Sequence, residues 1–140
     1  MVSSSFLLDL QRVTHLTLDA LTHELADLEV TASEANVLAN LAEGAELTAS
    51  GLAARVGSRA TTMTAVLDRL AGRGWIVREP HPSDRRAVVV RLTTAGRSVA
   101  RRVARAYDRV EADVLAALSP TAARSLRHSL HRLGAARHAR

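Results

Sequence analysis

The chain has 140 residues, the length of one domain, and its 19 basic side chains, all arginine, exceed 14 acidic ones for a formal charge of +5. A 47% hydrophobic composition supports a buried core, and the absence of cysteine excludes disulfides and thiolate chemistry. The apolar runs are too short for a membrane span, and residues 1–5 lack the pattern of a secretory signal, so we expect a cytoplasmic protein. With three aromatic residues there is no platform for stacking single-stranded bases, so a nucleic-acid partner would be duplex DNA.

Helical periodicity dominates the first part of the chain. Residues 5–29 carry a wide apolar stripe, which predicts a helix that needs a partner to cover it. Thr31 and Glu34 have the spacing of a capping box, which predicts that a second helix starts there. This helix is predicted to end at Gly44.

A helix-turn-helix pattern follows. Thr48 is predicted to cap a short helix that ends at Gly57. The next helix is predicted to begin at Ser58 or Arg59 and to run to about Gly72. Its inward-facing residues are predicted to be Met63, Val66, Leu67 and Leu70. Two helices joined by a tight turn containing glycine are common, so this signal alone is weak.

The period then changes from helical to alternating. Residues 75–79 and 87–92 are predicted to form two strands, joined by the polar turn 80–86 with its two prolines and two adjacent arginines. A helix-turn-helix followed at once by a hairpin with a basic tip indicates a winged helix. This combination is much more specific than either of its parts.

Two further helices complete the chain. Thr93 or Thr94 is predicted to cap a long helix to about Leu118, and Ser119-Pro120 is predicted to start the last one. The inner face of the last helix is predicted to consist of Leu126, Leu130 and Leu133. The predicted fold class is mainly α with a small β-hairpin wing, in which a winged helix-turn-helix core is flanked by N- and C-terminal helices.

Exposed residues of the fourth helix and the wing are the candidate DNA contacts. Short hydroxyls and small side chains near a helix N-terminus allow close entry into the major groove, where Arg59 can reach a guanine edge or a phosphate. An arginine at the wing tip suits a narrow minor groove, and Asp84 can hold one guanidinium in a fixed fork. The alternatives are a solvated helix face and a surface turn with an internal ion pair. The candidates are Arg59, Thr61, Thr62, Ala65, Arg69, Arg73, Asp84, Arg85 and Arg86.

Five segments of the chain share the order and spacing of a known pattern. They are Thr31-Ala32-Ser33-Glu34-Ala35-Asn36-Val37-Leu38, Leu52-Ala53, Leu67-Asp68-Arg69-Leu70 before Gly74-Trp75, Asp84-Arg85-Arg86, and Leu92-Thr93-Thr94-Ala95-Gly96. With these segments, residues 31–97 resemble the winged-helix core of MarR-type transcriptional regulators. The flanking helices fit as well, so the resemblance covers nearly the whole chain.

The resemblance implies a homodimer that binds a pseudo-palindromic operator in double-stranded DNA. It divides the single domain 1–140 into dimerisation helices (1–30 and 98–140) and a DNA-binding core (31–97). It places recognition contacts at Arg59, Thr61, Thr62, Ala65 and Arg69 and wing contacts at Asp84, Arg85 and Arg86, with Arg86 entering the minor groove. The family often has serine at 59 and arginine at 65, so we expect a different sequence preference.

The resemblance also implies a small-molecule effector, such as a phenolic or other aromatic acid, that binds beside the first helix. His15 and His23 lie on that helix and are candidates for its pocket as buried polar residues, although ordinary dimer contacts are the simpler explanation. His128 and His131 have the one-turn spacing that can bring two imidazoles to a metal, but the rest of a metal site is not evident. We therefore expect no metal and no cofactor.

The resemblance implies a ligand-responsive, DNA-binding repressor, and two other functions remain as alternatives. One is a winged-helix architectural or protein-interaction module without operator specificity. The weaker one is a His-dependent metal-binding protein. No carboxylate pair, Ser-His-Asp arrangement or Gly-rich phosphate loop is present in a credible context, so we do not expect an enzyme.

Overall fold

A computed structural model describes residues 5–44 and 46–138, which form a helical protein with a small antiparallel sheet. The helices are α1 (Phe6–Glu24), α2 (Ala32–Ala42), α3 (Ala49–Val56), α4 (Ala60–Gly72), α5 (Thr94–Leu115) and α6 (Pro120–His138). The strands are β1 (Leu47–Thr48), β2 (Ile76–Pro80) and β3 (Val88–Leu92). A 3-10 turn (Ala26–Leu28) joins α1 to α2. None of the helices in this part of the chain is long and apolar enough to cross a membrane.

Side-chain caps define where four of the helices begin. In the capping box of α2, the Glu34 amide donates to Thr31 Oγ1 at 3.2 Å, and the Thr31 amide donates to Glu34 Oε2 at 2.9 Å. The hydroxyls of Thr48 and Thr93 cap α3 and α5 by accepting the amide of the third residue of each helix, without the reciprocal bond of a capping box. The Ser119 hydroxyl accepts the Ala122 amide and starts α6. The predicted capping box and the Thr48, Thr93 and Ser119 caps are confirmed.

The core is continuous from the end of α1 through the helix-turn-helix to α5. The four residues that the periodicity of α4 placed inward, Met63, Val66, Leu67 and Leu70, are all buried. They pack with buried residues from α2, α3 and α5, among them Leu38, Leu52 and Val103. The helical period therefore predicted the buried face of α4 correctly.

The sheet contains one more strand than the hairpin predicted from the sequence. Its order is β1-β3-β2, and both pairings are antiparallel. β1 consists of Leu47 and Thr48, which pair with Val90 and Val89. Two residues are too few to show an alternating pattern in the sequence. The strand also depends on a partner strand about forty residues away.

One sequence expectation about the outer helices is wrong, and a second is not met within one protomer. The first helix ends at Glu24 rather than near residue 29, and the chain then passes through the 3-10 turn to Glu29, which has a φ of +51°. Leu126, Leu130 and Leu133 were expected inside, but they are 42%, 46% and 47% exposed. At the other end of the chain, Phe6 is 64% exposed. One protomer therefore does not cover the apolar faces of α1 and α6.

The start of α5 packs closely against the segment that follows α4. A Cβ at Gly96 would lie 1.7 Å from the main-chain oxygen of Trp75, so no larger residue fits. The Thr93 hydroxyl donates to the Gly74 carbonyl at 2.7 Å, and the Thr93 amide donates to the Trp75 carbonyl at 3.0 Å. These contacts hold the end of α4, the base of the wing and α5 together.

Candidate nucleic-acid interface

We call α4 the reading helix. Its first turn has no side-chain cap. Arg59 is its N-cap residue with extended backbone angles, and its carbonyl accepts the Met63 amide at 2.9 Å. Ser58 does not cap the helix, because its hydroxyl donates to the Arg59 carbonyl at 3.2 Å. Of the two positions predicted for the start of this helix, Ser58 and Arg59, the structure has Arg59 as the N-cap residue. The amides of the first turn and the Arg59 side chain remain available to a ligand.

The exposed face of the reading helix carries short side chains. Thr61, Thr62 and Ala65 are all exposed, as the sequence predicted. Thr64 is also exposed, but its hydroxyl donates to the Ala60 carbonyl at 3.0 Å and so is not free to donate to a base. A surface of this kind lets a helix backbone approach the edges of base pairs closely.

Arg69 is paired with a buried carboxylate. Its Nε donates to Glu34 Oε1 at 2.8 Å, and Glu34 is only 3% exposed, the one buried charged residue in the described part of the chain. Burial raises the pKa of the Glu34 carboxyl, but the Thr31 amide and the Arg69 guanidinium outweigh it and hold the pKa below its ordinary value. The candidate contact Arg69 therefore links the reading helix to the start of α2. The sequence indicated Glu34 only as a cap.

Arg73, another candidate contact, is also bonded within the chain. Its guanidinium donates to the carbonyls of Leu28 and Glu29 at 2.8 and 3.0 Å. The same group lies over the Trp75 ring, 3.8 Å from the centroid. Its donors are thus directed at the protein, which the sequence did not indicate because residues 28 and 29 are distant from residue 73 in the chain.

A histidine and an aspartate shape the turn at the tip of the wing (residues 76–92). Nδ1 of His81 accepts the amides of Ser83 and Asp84, each at 3.2 Å. Asp84 Oδ1 accepts the Arg86 amide at 3.0 Å. Among the described residues Asp84 forms no fork with a guanidinium, and its Oδ1 accepts this local Asx-type bond from the main chain instead. Sequence reasoning missed the part that His81 has in this turn.

The arginines of the winged helix fall into two groups. Between residues 46 and 97 there are nine arginines. Six of them donate to acceptors in the protein: Arg55, Arg69, Arg73, Arg78, Arg91 and Arg97. Among the residues that the structure describes, the side chains of the exposed Arg59, Arg85 and Arg86 have no such partner. The arginines without a hydrogen-bond partner therefore lie at the start of the reading helix and at the wing tip. Arg73 and Arg97 bond to neutral oxygens, so they are held in place but keep their charge.

A separate cavity of about 590 Å³ lies between α1, α5 and α6. Its wall is mostly apolar, and its polar members include Asn36, Tyr107, Arg127 and His131. Burial raises the pKa of the Tyr107 hydroxyl above its ordinary value. The sequence did not single out Asn36, Tyr107 or Arg127 for this role.

The two histidines predicted to line an effector pocket lie outside this cavity. The α1 residues in its wall are Leu10, Val13, Thr14, Thr17, Leu18 and Leu21, which recur every three or four positions. His15 and His23 fall off this stripe and are exposed in the protomer, so the expectation that they are buried there is wrong. Within residues 5–44 and 46–138, no three His, Cys, Asp or Glu side chains are grouped closely enough to hold a metal ion.

Comparison with known proteins relates the winged helix to one family. The MarR family model matches residues 30–88. The multiple antibiotic resistance protein MarR of Escherichia coli K12 is 37% identical over 82 residues, which are 58% of this chain and 57% of that protein. This sequence match thus spans little more than half of the curated relative. The crystal structure of apo MarR from E. coli has a TM-score of 0.73 at 25% identity, over 92% of this chain and 96% of that chain.

A second relative matches over a larger part of its length. The HTH-type transcriptional regulator PecS of Dickeya dadantii is 32% identical over 127 residues, which are 89% of this chain and 76% of PecS. CouR from Rhodococcus jostii, crystallised with p-coumaroyl-CoA, shares the fold with a TM-score of 0.86 at 24% identity, over 96% of this chain and 94% of CouR.

Proposed function

The chain belongs to the MarR family, and from that premise we propose that it is a homodimeric transcriptional repressor that binds a pseudo-palindromic operator in double-stranded DNA and responds to a small molecule. In this proposal residues 31–97 form the DNA-binding core, and residues 1–30 and 98–140 form the dimerisation helices. The proposal assigns no catalysis to the chain, in keeping with the matched relative PecS, which is named as a transcriptional regulator.

The observation that carries the proposal is the position of the unpaired arginines. Arg59 begins the reading helix, and Arg85 and Arg86 lie at the wing tip, each without a partner in the described residues. Phosphates attract such charges, and a narrow minor groove favours an inserted arginine. Thr61, Thr62 and Ala65 add the short side chains that a major-groove helix needs. Nearby arginines that are already paired gain less from phosphate.

The contacts differ in what they contribute. Arg85 and Arg86 supply phosphate and minor-groove contacts, which add affinity. Thr61 and Thr62 supply contacts to base edges or thymine methyl groups, which add sequence preference. Asp84 positions Arg86 through its main-chain amide. Ala65 has no polar group, so it leaves the base edges it faces to water or to van der Waals contact.

Dimerisation accounts for the uncovered apolar faces. Phe6, Leu7 and Leu8 on α1 and Leu130 and Leu133 on α6 are exposed in a single protomer. Exposed apolar surface of this extent on a small protein marks an interaction site. Sedimentation equilibrium should give twice the 15.0 kDa of one chain. A monomer at micromolar concentration would contradict this part of the proposal.

Binding-site selection from random duplexes and from genomic fragments tests the DNA-binding function. We expect enrichment of a pseudo-palindrome that is bound at least about a thousandfold more tightly than competitor DNA. Equal affinity for all duplexes would instead identify an architectural module. Thr62→Ala should change the preferred base at one position in each half-site and leave competitor binding unchanged. Its matched control is Thr64→Ala, because that hydroxyl is already bonded to the helix.

The effector is proposed to occupy the cavity between α1, α5 and α6. Its volume of about 590 Å³ and apolar wall suit a small aromatic molecule, and Asn36 and His131 can bind a carboxylate or a phenol oxygen. Arg127 also lines the cavity, but its guanidinium is already paired with Glu111. The test is a panel of phenolic and aromatic acids, scored by thermal stabilisation of the protein and by release from the operator. Leu18→Trp should narrow the cavity and weaken both effects. A compound whose action is unchanged in this variant would bind elsewhere.

A further inference from the structure

The guanidinium of Arg73 joins two parts of the chain that are far apart in sequence. It extends from the end of the reading helix to the carbonyls of Leu28 and Glu29, while its flat face covers the Trp75 ring. Two directed hydrogen bonds and a stacked face restrict both the position and the orientation of the group. The bond to Leu28 is partly buried, which shields it from water.

The acceptors lie in the joint between α1 and α2 (residues 24–29). Glu29 has a φ of +51° there, a backbone conformation that residues other than glycine rarely adopt. Two more arginines bond to the same joint from α5, since Arg102 pairs with Asp27 and Arg109 pairs with Glu24 at 2.7 Å. Arg73 differs from these two because it comes from the reading helix.

The other end of the Arg73 contact is equally well fixed. Trp75, on which the guanidinium lies, has its carbonyl bonded to the Thr93 amide at the start of α5. Gly96 packs directly on that carbonyl, which leaves no room for Trp75 to move toward α5. Arg73 therefore connects two rigid parts, the α1–α2 joint and the junction of the reading helix, the wing and α5.

We propose that Arg73 is a positioning residue that fixes the angle of the reading helix relative to the dimerisation helix α1, and thereby sets the half-site spacing that the dimer accepts. This inference rests on the proposed function. The two reading helices of a dimer must lie about 34–36 Å apart to enter successive major grooves. Adding one base pair between half-sites moves them by about 3.4 Å and rotates them by about 34°. A rigid dimer rejects that operator.

Lysine at position 73 separates this role from a direct contact with DNA. Arg73→Lys keeps the positive charge that a phosphate requires, but it loses the paired bonds to the two carbonyls and the flat face over Trp75. A phosphate-contacting residue is largely rescued by lysine, whereas a residue that fixes an angle is not. Arg105→Lys on the exposed surface of α5 is the matched control for the substitution itself.

The first measurement needs no DNA. The chain has no cysteine, so Thr64→Cys on the exposed side of the reading helix accepts a single spin label per protomer. We expect a narrow distribution of distances between the two labels in the wild-type and Arg105→Lys dimers, and a distribution at least twice as wide with Arg73→Lys. Equal widths in all three proteins would overturn the inference, whatever the DNA binding. Absence of any inter-label distance in the parent protein would count against the dimer itself.

The second measurement uses the selected operator with zero, one or two base pairs inserted between its half-sites. Wild type should bind the selected operator at least tenfold more tightly than the operator with one inserted base pair. Arg73→Lys should reduce this affinity ratio at least threefold, and the salt dependence of its binding should be unchanged. Arg73→Lys that keeps the ratio would overturn the inference. So would an Arg73→Ala variant that loses salt dependence while Arg73→Lys retains it, since that result identifies a phosphate contact. Thermal unfolding of each variant verifies that it is folded at the assay temperature.

Discussion

Substitution of Arg86 at the wing tip should weaken operator binding without affecting the fold. The side chain is exposed and has no partner in the described residues, and alanine keeps the main-chain amide that Asp84 binds. The free energy of unfolding should therefore change by less than about 0.5 kcal/mol. Any loss of affinity then reports the contact with DNA rather than a loss of folded protein.

The expected magnitude follows from the unpaired arginines. Each phosphate charge neutralised on duplex DNA contributes about 0.9 to the slope of log affinity against log salt concentration. Arg59, Arg85 and Arg86 from both protomers would give a slope of about −5.4, and Arg86→Ala should bring it to about −3.6. With at least about 1 kcal/mol lost per wing, affinity should fall by about thirtyfold or more per dimer.

Fluorescence anisotropy of a labelled operator, titrated between 50 and 300 mM KCl (roughly the range over which this effect is measurable), gives both quantities. Arg105→Ala is the control, because it removes the same charge from an exposed position on α5, outside the winged helix. A slope and affinity unchanged by Arg86→Ala would refute the assignment of the wing. An equal effect of both substitutions would show that only net charge matters.

The turn at the wing tip offers a finer version of the same test. Asp84 accepts the Arg86 amide, so Asp84→Asn, which keeps an oxygen acceptor, should bind the operator within about threefold of wild type. Asp84→Ala leaves the amide unpaired and should weaken binding further than Asp84→Asn does. If asparagine is as damaging as alanine, the carboxylate charge must contact the arginine side chain after all.

Three further predictions concern stability and assembly. Arg69→Ala should lower the free energy of unfolding by about 3 kcal/mol, because the buried Glu34 carboxylate loses its guanidinium partner. Glu34→Gln keeps the capping box and should lower it by only about 1 kcal/mol. Urea titrations measure both values. The pKa of Glu34 is lowered in the folded protein, so its ionised form stabilises the fold at neutral pH. The difference in free energy of unfolding between wild type and Glu34→Gln should therefore shrink as the pH falls through that lowered pKa. A difference that stays constant with pH would contradict this. Gly96→Ala should cost more than about 2 kcal/mol through a clash with a main-chain carbonyl, whereas Gly72→Ala, which meets no atom within 4 Å, should be neutral or stabilising in thermal unfolding. Leu130→Asp should shift the sedimentation equilibrium toward monomer with little effect on helix content, and an intact dimer would argue against α6 as an interface.

Local chemistry accounts for what the sequence predicted well. A capping box needs only two residues three positions apart, so the start of α2 at Thr31 follows from the sequence alone. The buried face of α4 follows from the helical period, and the hairpin follows from alternation on either side of a proline-rich turn. The outcome differs for β1, which forms only because Leu47 and Thr48 meet a strand far along the chain.

Long-range contacts account for what the sequence predicted poorly. The inner face assigned to α6 is exposed in one protomer. An apolar stripe predicts that a helix face is covered, but it does not predict which chain covers it. His15 and His23 were placed in a pocket on the strength of their helix alone, but the wall of the cavity is a different stripe of α1. The helical period determines which residues share a face, but packing decides which of those faces meets the cavity.

Capping, periodicity and turn chemistry act over a few residues, so the sequence alone predicts a winged helix with an arginine-only positive excess. Which arginines are free to meet DNA depends on the tertiary structure. Arg69 is bound by Glu34, 35 residues away, and Arg73 by carbonyls 44 and 45 residues away, whereas Arg59, Arg85 and Arg86 have no acceptor in the described residues. The charge of a guanidinium follows from its residue type, but its partner depends on which distant atoms the fold brings within hydrogen-bonding distance.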